Sequence, residues 1–518
     1  MTTPSPGVER ATAERGTLER EVKLGAPAGF RLPLLTDRVA GIVAGATRYS
    51  EMTATYYDSA DLRLTRAGAS LRYRTDEGWM VKLSDGDARE SPEAALARLE
   101  FAFGGAPGVP PEGALDLVQA LVRSERIAPV ARLRTHRHEV PLFGTDGLAL
   151  GVLVDDEVTV LDGTRPVMRF RELEIELAET APANAATPVL ERLRAAGAGE
   201  PDPTPKVVRA LGPRATTPPD VPTAPSRDVS TIPEVVQSAI AVSVARLLQN
   251  DAGVRLGDDA EAVHQARVAT RRLRSHLRTF RTLLEPEWTA ALREELRWLG
   301  GELGAVRDAD VLLDRLQHRL DELAPTERKA GERIVEGLAA QREDARDELL
   351  AAMRAPRYVE LLDRLVDAAR QPRLALRVAG DGGSDPEVLR GLVRAPWGHL
   401  RRAVRELPED PPDQALHDIR IRAKRVRYAA EAVTPVFGKD ARQFVDAVTR
   451  LQDTLGEHQD AVVAGQWLRE ASAASGDVDV AFAGGMLAAI EHRAALASRA
   501  EWADAWRAAS RGKLRDWL

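Results

Sequence analysis

Two incompatible hydrophobic periods share this chain, and the place where one gives way to the other constrains its folding most. Before Gly197, apolar and polar residues alternate with period two in Leu18–Leu24, Ser70–Arg74, Trp79–Leu83, Gly151–Leu161 and Arg171–Leu177, the pattern of half-buried strands. From Pro233 onward, apolar residues recur at helical spacing among Ala, Leu, Arg and Glu, and strand-like alternation is scarce. Between them, Pro201, Pro203, Pro205, Pro213, Pro218 and Pro219 are followed by Pro222 and Pro225 in text poor in large apolar residues, the composition of a linker. A strand-rich domain followed by a helical bundle is therefore expected.

The length of 518 residues suits two cores, and 44% hydrophobic against 29% charged residues is the balance of a soluble globular protein. No cysteine is present, which removes disulfides, thiolate metal sites and cysteine nucleophiles from consideration and fits a cytoplasmic protein. The first stretch, Met1–Arg20, has no apolar core of a secretory signal and reads as a flexible tail. Even Val478–Ile490 is interrupted by Asp and Gly, so no membrane span is expected. With a net charge of −7, bulk charge would not draw this protein to a polyanion, and any anion site must be a local concentration of Lys and Arg.

Such a concentration occurs twice. His264, Arg267, Arg271, Arg272 and Arg274 are matched in order by His417, Arg420, Lys424, Arg425 and Arg427; Leu303-Gly304-x-x-Arg307-Asp308 is matched by Leu455-Gly456-x-x-Gln459-Asp460. Taking His264 as zero on a helix, Arg267, Arg271, Arg274 and Arg278 fall at roughly −60°, −20°, −80° and −40°, while Arg272 and Arg425 lie about 80° to the other side. No carboxylate occurs from His264 to Leu284. A lone basic helix is usually a solvated face paired with acidic helices, but a face built twice favours a shared polyanionic ligand, for which guanidinium forks suit phosphate oxygens. Base stacking would call for interleaved aromatics, and His264–Arg278 has none, which argues against nucleic acid.

These residues resemble the conserved-histidine alpha-helical (CHAD) domain over about Val229–Leu518. The resemblance implies two pseudo-symmetric four-helix halves with the basic helices facing a central pore, and binding of inorganic polyphosphate rather than catalysis. Carried onto this sequence, the binding residues are His264, Arg267, Arg271, Arg272, Arg274, Arg278, His417, Arg420, Lys424, Arg425 and Arg427. Lys424 departs from the first copy's arginine, keeping the charge and losing the fork, and Gln459 departs from Arg307.

In the strand-rich half, alternation projects Glu19, Glu21 and Lys23 to one face, Arg72 and Arg74 to one face, and Glu172, Glu174 and Glu176 against Leu173, Ile175 and Leu177. An isolated set of this kind is usually an exposed strand face. Several together fit a closed barrel with ionic faces inside, where carboxylates gather round a divalent cation and basic residues line the walls for a phosphate chain. Periodicity favours Asp155 over Asp156 for the ionic face, because Asp156 is in register with Val152, Val154, Val158 and Val160. In Arg132–His138 both faces are polar, so Arg134 and Arg137 are both candidates.

Glu19-x-Glu21-x-Lys23, Leu71-Arg72-x-Arg74, Lys82 and Glu172-x-Glu174-x-Glu176 resemble the CYTH superfamily of triphosphate tunnel metalloenzymes over about Leu18–Leu211. The resemblance implies an eight-stranded antiparallel tunnel and Mg²⁺- or Mn²⁺-dependent attack on a triphosphate, as in inorganic triphosphatases, thiamine triphosphatases and class IV adenylate cyclases. Glu19, Glu21, Asp155 and the Glu172, Glu174 and Glu176 set would hold metal. Lys23, Arg72, Arg74, Lys82, Arg134, Arg137 and Lys206 would bind phosphates, with Arg89 and Arg209 as weaker candidates.

The expected organisation is a tail over 1–16, a tunnel domain over 17–212, a linker over 213–228 and a helical domain over 229–518. The expected function is hydrolysis of inorganic triphosphate or short phosphate chains in the cytoplasm, with polyphosphate, as in granules, held by the helical domain. The alternative is a binding protein of such granules without catalysis.

Overall fold

The computed structural model describes residues 17–33, 35, 41–84, 96–221, 229, 231–257, 259–375 and 385–518. Two compact units meet at Asp220/Val221.

The first unit runs β1 (Thr17–Ala26), β2 (Ile42–Ala44), β3 (Arg48–Asp58), α1 (Arg63–Arg66), β4 (Ser70–Arg74), β5 (Gly78–Ser84), β6 (Leu96–Phe103), α2 (Glu112–Val122), β7 (Ala128–Gly144), β8 (Ala149–Asp162), β9 (Arg165–Leu177), α3 (Thr187–Ala195) and α4 (Lys206–Leu211). All strand pairs are antiparallel in the order β7-β3-β4-β5-β6-β1-β9-β8, and a further β7–β8 pairing closes the ring at eight strands, with β2 lengthening the edge of β7.

Because strand side chains alternate, closure forces one set of residues inward and the other outward. The outer set carries much of the apolar core: Leu24, Leu153, Leu173 and Ile175 pack beneath Val189 and Leu193 of α3. Inside, one end is filled by Val207 of α4 against Tyr56, Leu133, Val158 and Val160. The cavity that remains is lined mostly by charged side chains.

Residues 213–220, expected as linker, are instead tied to this unit. Arg66 donates from Nε to the Pro218 carbonyl at 2.9 Å and lies 3.1 Å from Asp220, which also pairs with Arg123. Proline content signalled an irregular backbone there, but irregular backbone docks as well as it swings when arginines hold its carbonyls and carboxylate.

The second unit contains α5 (Ile232–Leu256), α6 (Ala260–Thr279), α7 (Pro286–Leu320), α8 (Pro325–Arg354), α9 (Pro356–Arg370), α10 (Asp385–Arg405), α11 (Asp413–Ala474) and α12 (Val478–Ala509). Thr231 and Glu234 form a reciprocal capping box at the start of α5, and prolines in the first turns of α7, α8 and α9 sit where no backbone donor is needed. Helix α11 is two helices joined at Gly438, whose φ of 61° breaks the helical path. Counted so, α5–α8 form one four-helix half, and α10, the two parts of α11, and α12 form its repeat, with α9 between.

Helix α12 corrects the expectation that no segment is long and apolar enough for a bilayer: an 18-residue window in it has mean hydropathy 1.2. In this unit, however, its Val480, Leu487 and Ile490 pack against Leu316, Ile334 and Leu468 of the bundle.

Candidate functional site

The barrel interior follows from strand register. Lys23 of β1 lies opposite Glu174 of β9, Glu21 opposite Glu176, and Asp156 of β8 opposite both Glu172 and Arg137. Lys23 Nζ contacts Glu174, with Glu21 at 3.0 Å and Glu172 at 3.7 Å. Lys206, first residue of α4, reaches Glu174 at 2.7 Å, Asp156 at 3.0 Å and Glu172 at 3.3 Å, and Arg209 approaches Glu172 at 3.2 Å.

Burial opposes the charge on Lys23 and Lys206, but the surrounding carboxylates, Glu174 first, outweigh it and hold both lysines above their ordinary values. Burial likewise works against the Glu174 carboxylate, and Lys206 and Lys23 overcome it, holding Glu174 well below the usual range. In Glu172 burial wins over Lys206, and its carboxyl is pushed up.

Ligand oxygens of Glu21, Glu174 and Glu176 lie within 4.8 Å of one another. Three carboxylates from two adjacent strands are hard donors at a spacing that fits a hard divalent cation. Facing them are Arg72 and Arg74 of β4, Lys82 of β5, and Arg98 of β6, round a cavity of about 140 Å³. Arg74 is held by Asp76 at 2.8 Å, and its guanidinium is pulled below its ordinary value by burial and by Arg72. Arg98 and Glu100, partner of Lys82, were missed in the sequence, although their alternation with Leu99, Phe101 and Phe103 marks β6.

Two sequence expectations are corrected. Asp155 faces the outer layer, opposite Leu173, where Arg171 clamps it at 2.8 and 2.7 Å; Asp156 is the interior carboxylate, gripped by Arg137 at 2.8 and 2.7 Å. Periodicity misled because Val158 and Val160, in step with Asp156, are also interior, buried under α4. Arg134, three residues from Arg137, consequently projects outward, opposite Thr53 and Thr159. The side chain of Glu19, and Arg89, lie outside the described residues.

In the helical unit, α6 and the first part of α11 bring the two basic faces together, and Arg271 donates to the Tyr428 hydroxyl at 3.0 Å. The repeat is reproduced in detail. Arg267 lies 2.9 Å from Asp308 and Arg420 lies 3.9 Å from Asp460. A Cβ on Gly304 would sit 3.7 Å from Arg267 Nε, and one on Gly456 would sit 3.6 Å from Arg420 Nε. Arg271, Arg274, Arg278, Lys424 and Arg425 line one groove of about 340 Å³, joined by Arg293 of α7, which sequence reasoning had not singled out.

Arg425 thus shares the groove instead of pointing away from it, whereas Arg272 pairs with Glu431 at 3.5 Å. Arg427 lies 3.2 Å from the same carboxylate and stacks over Tyr428. Lys424 is pulled down to about 7 by burial and then by Arg271 and Arg420; His264 is lowered by burial and Arg307. His417 Nδ1 is buried without a hydrogen-bond partner among the described residues. Cations this closely packed are destabilised by their own field and are neutralised best by a multiply charged anion.

Models of two families match: the CYTH domain over residues 17–206 and the CHAD domain over residues 238–469. Uncharacterized proteins of Mycobacterium tuberculosis strains CDC 1551 and H37Rv are each 34% identical over 478 residues, covering 87% of this chain and 87% of theirs. Among solved structures, PptA from Streptomyces chartreusis is 26% identical, covering 54% of this chain and 100% of its own, with a TM-score of 0.44. The CHAD domain from the plant Ricinus communis is 28% identical, covering 55% of this chain and 97% of its own, also at 0.44. With both domain matches and relatives alike along most of its length, this chain belongs to the family of proteins that join a CYTH domain, of the triphosphate tunnel metalloenzyme superfamily, to a CHAD domain.

Proposed function

We propose that the tunnel hydrolyses inorganic triphosphate or another short phosphate chain with Mg²⁺ or Mn²⁺, and that the helical unit binds inorganic polyphosphate. The observation that carries the first half is the opposition, across one cavity, of Glu21, Glu174 and Glu176 to Arg72, Arg74, Lys82 and Arg98. One wall suits a cation and the other a chain of phosphates.

A divalent cation held by the three glutamates would neutralise phosphate oxygens and favour attack by water. The chain's own residues bind and orient. Arg72, Arg74, Lys82 and Arg98 would grip the phosphate oxygens and stabilise the charge that builds on the departing diphosphate. Lys206, Lys23 and Arg137 keep the Glu174 carboxylate ionised and in place, and Arg209 approaches Glu172 Oε2. For the helical unit, the support is the doubled, carboxylate-poor basic groove. A cytoplasmic protein associated with polyphosphate granules is the setting proposed for both activities.

The test measures phosphate release from inorganic triphosphate with each metal, alongside long-chain polyphosphate binding, for wild type and Glu21→Gln/Glu176→Gln. Metal-dependent turnover lost in the variant with binding retained supports the reading. Binding without turnover in either metal would make this a polyphosphate-binding protein alone.

A further inference from the structure

The repeat that aligns His264 with His417 also aligns Arg272 with Arg425, Arg274 with Arg427 and Arg278 with Glu431. By symmetry, the two ends of the paired basic face should be alike, and they differ. At one end Glu431 takes up Arg272 at 3.5 Å and Arg427 at 3.2 Å. At the other, Arg278 stands in the place of Glu431, and among the described residues Arg274, Arg278 and Arg425 make no ion pair with a carboxylate.

From this second end a further groove of about 660 Å³ runs between α6 and α10, past Arg281 and Arg293 to His399. It shares Arg278, Arg293 and Arg425 with the groove at the basic face, and among the described residues no carboxylate lines either one. Arg293 Nε is buried without a hydrogen-bond partner among the described residues. Burial, then Arg278 and Arg297, hold that guanidinium below its ordinary value. The far wall is apolar, formed by Val388, Leu392 and Ala395. A low-dielectric wall opposite arginines strengthens their attraction for an anion between them.

We propose that a long polyphosphate leaves the paired basic face at the Arg278 end alone, along the α6–α10 groove, where the shared Arg293 leads to Arg281 and His399, which hold phosphates beyond those the face itself holds. Glu431 occupies Arg272 and Arg427 at the opposite end, so threading has a direction that the duplicated motif by itself would lack. This rests on the polyphosphate reading above.

The experiment compares an inorganic chain of only a few phosphates with chains long enough to cross the second groove, titrated at several salt concentrations against the full-length protein. Arg281→Gln/His399→Gln, at residues that line the second groove and not the basic face, is expected to leave short-chain affinity unchanged, which also reports an intact fold. Its long-chain affinity should fall several-fold, with the slope of log affinity against log salt shallower by about 0.7, the share of the one lost guanidinium contact. Equal weakening of both lengths, or no change in either, would overturn the groove while leaving the basic face in place. Absence of binding at every length by the wild-type protein would overturn the polyphosphate reading itself.

Discussion

Arg137 and Asp156 face each other across the β7–β8 register and join through two parallel hydrogen bonds, Nε to Oδ1 at 2.8 Å and Nη2 to Oδ2 at 2.7 Å. The Asp156 side chain is wholly buried and that of Arg137 nearly so. Removing one partner of such a pair deprives a buried charge of its two parallel hydrogen bonds. Asp156→Asn should therefore destabilise the barrel by roughly 3–5 kcal/mol in urea unfolding. Asp155→Asn, releasing Arg171 on the outer layer, should leave triphosphate affinity unchanged. If Asp155→Asn abolishes that affinity, the inward assignment of Asp156 is wrong.

The carboxylate trio makes a sharper distinction than sequence alternation did. Glu172, Glu174 and Glu176 all point inward, yet Glu172 is engaged by Lys206 and Arg209 and stands outside the group that closes within 4.8 Å. In calorimetric Mn²⁺ titrations, Glu21→Gln and Glu176→Gln should each weaken binding by about 100-fold or more. Glu172→Gln should cost about tenfold, as expected of a residue that acts on ligands through their neighbours. An equal loss for all three would place Glu172 among the ligands.

Lys424 should make polyphosphate binding sensitive to pH. Facing it are Arg267 and Arg271 of α6, Arg420 of its own helix and Asp460 of the second part of α11. Between its folded value of about 7 and the ordinary 10.5, the unfolded chain holds a proton that the folded chain lacks, so this group makes the helical unit more stable as pH rises through that window. An anion in the groove favours the ammonium form, so binding above neutrality should take up a proton and weaken as pH rises. Calorimetry in buffers of different ionisation enthalpy measures the uptake. Lys424→Arg, always charged, should abolish its share, and an unchanged uptake would assign the proton elsewhere.

The class of each unit was legible because period two and period 3.6 leave different marks, and the motifs fell on the elements that position them. What alternation could not supply was the sense of inside and outside. In most barrels an apolar residue on a strand and its neighbours in step face one common core; here the apolar core lies outside the ring at Leu153 and Leu173, and inside it at Val158 and Val160. Asp156 is in step with inward Val158 and Val160, which pack with Val207 of α4. The linker was misread for a related reason: Asp220 lies in proline-rich text, but its partners Arg66 and Arg123 are distant in sequence. Arg293 was missed because it sits on α7, away from either copy of the motif.

The two glycines of the repeat offer a test of whether the basic face is assembled as a unit. Gly304 and Gly456 are buried within helices, and among the described residues of other elements the atoms within 4 Å of a Cβ built on either belong to Arg267 or Arg420, at ordinary contact distance. Alanine therefore fits at both, and since glycine in a helix interior costs up to about 1 kcal/mol relative to alanine, Gly304→Ala and Gly456→Ala should each raise stability by a few tenths to 1 kcal/mol with polyphosphate affinity retained. Leucine is a different case. Its branches would occupy the space of the guanidinium and swing the arginine off the face, so Gly456→Leu should weaken polyphosphate binding about tenfold while thermal unfolding stays cooperative. Because Gly304 and Gly456 adjoin equivalent arginines of the paired basic face, Arg267 and Arg420, the double leucine variant should lose more than the two single losses combined if the anion bridges both helices. Strict additivity would mean that each helix binds its phosphates independently.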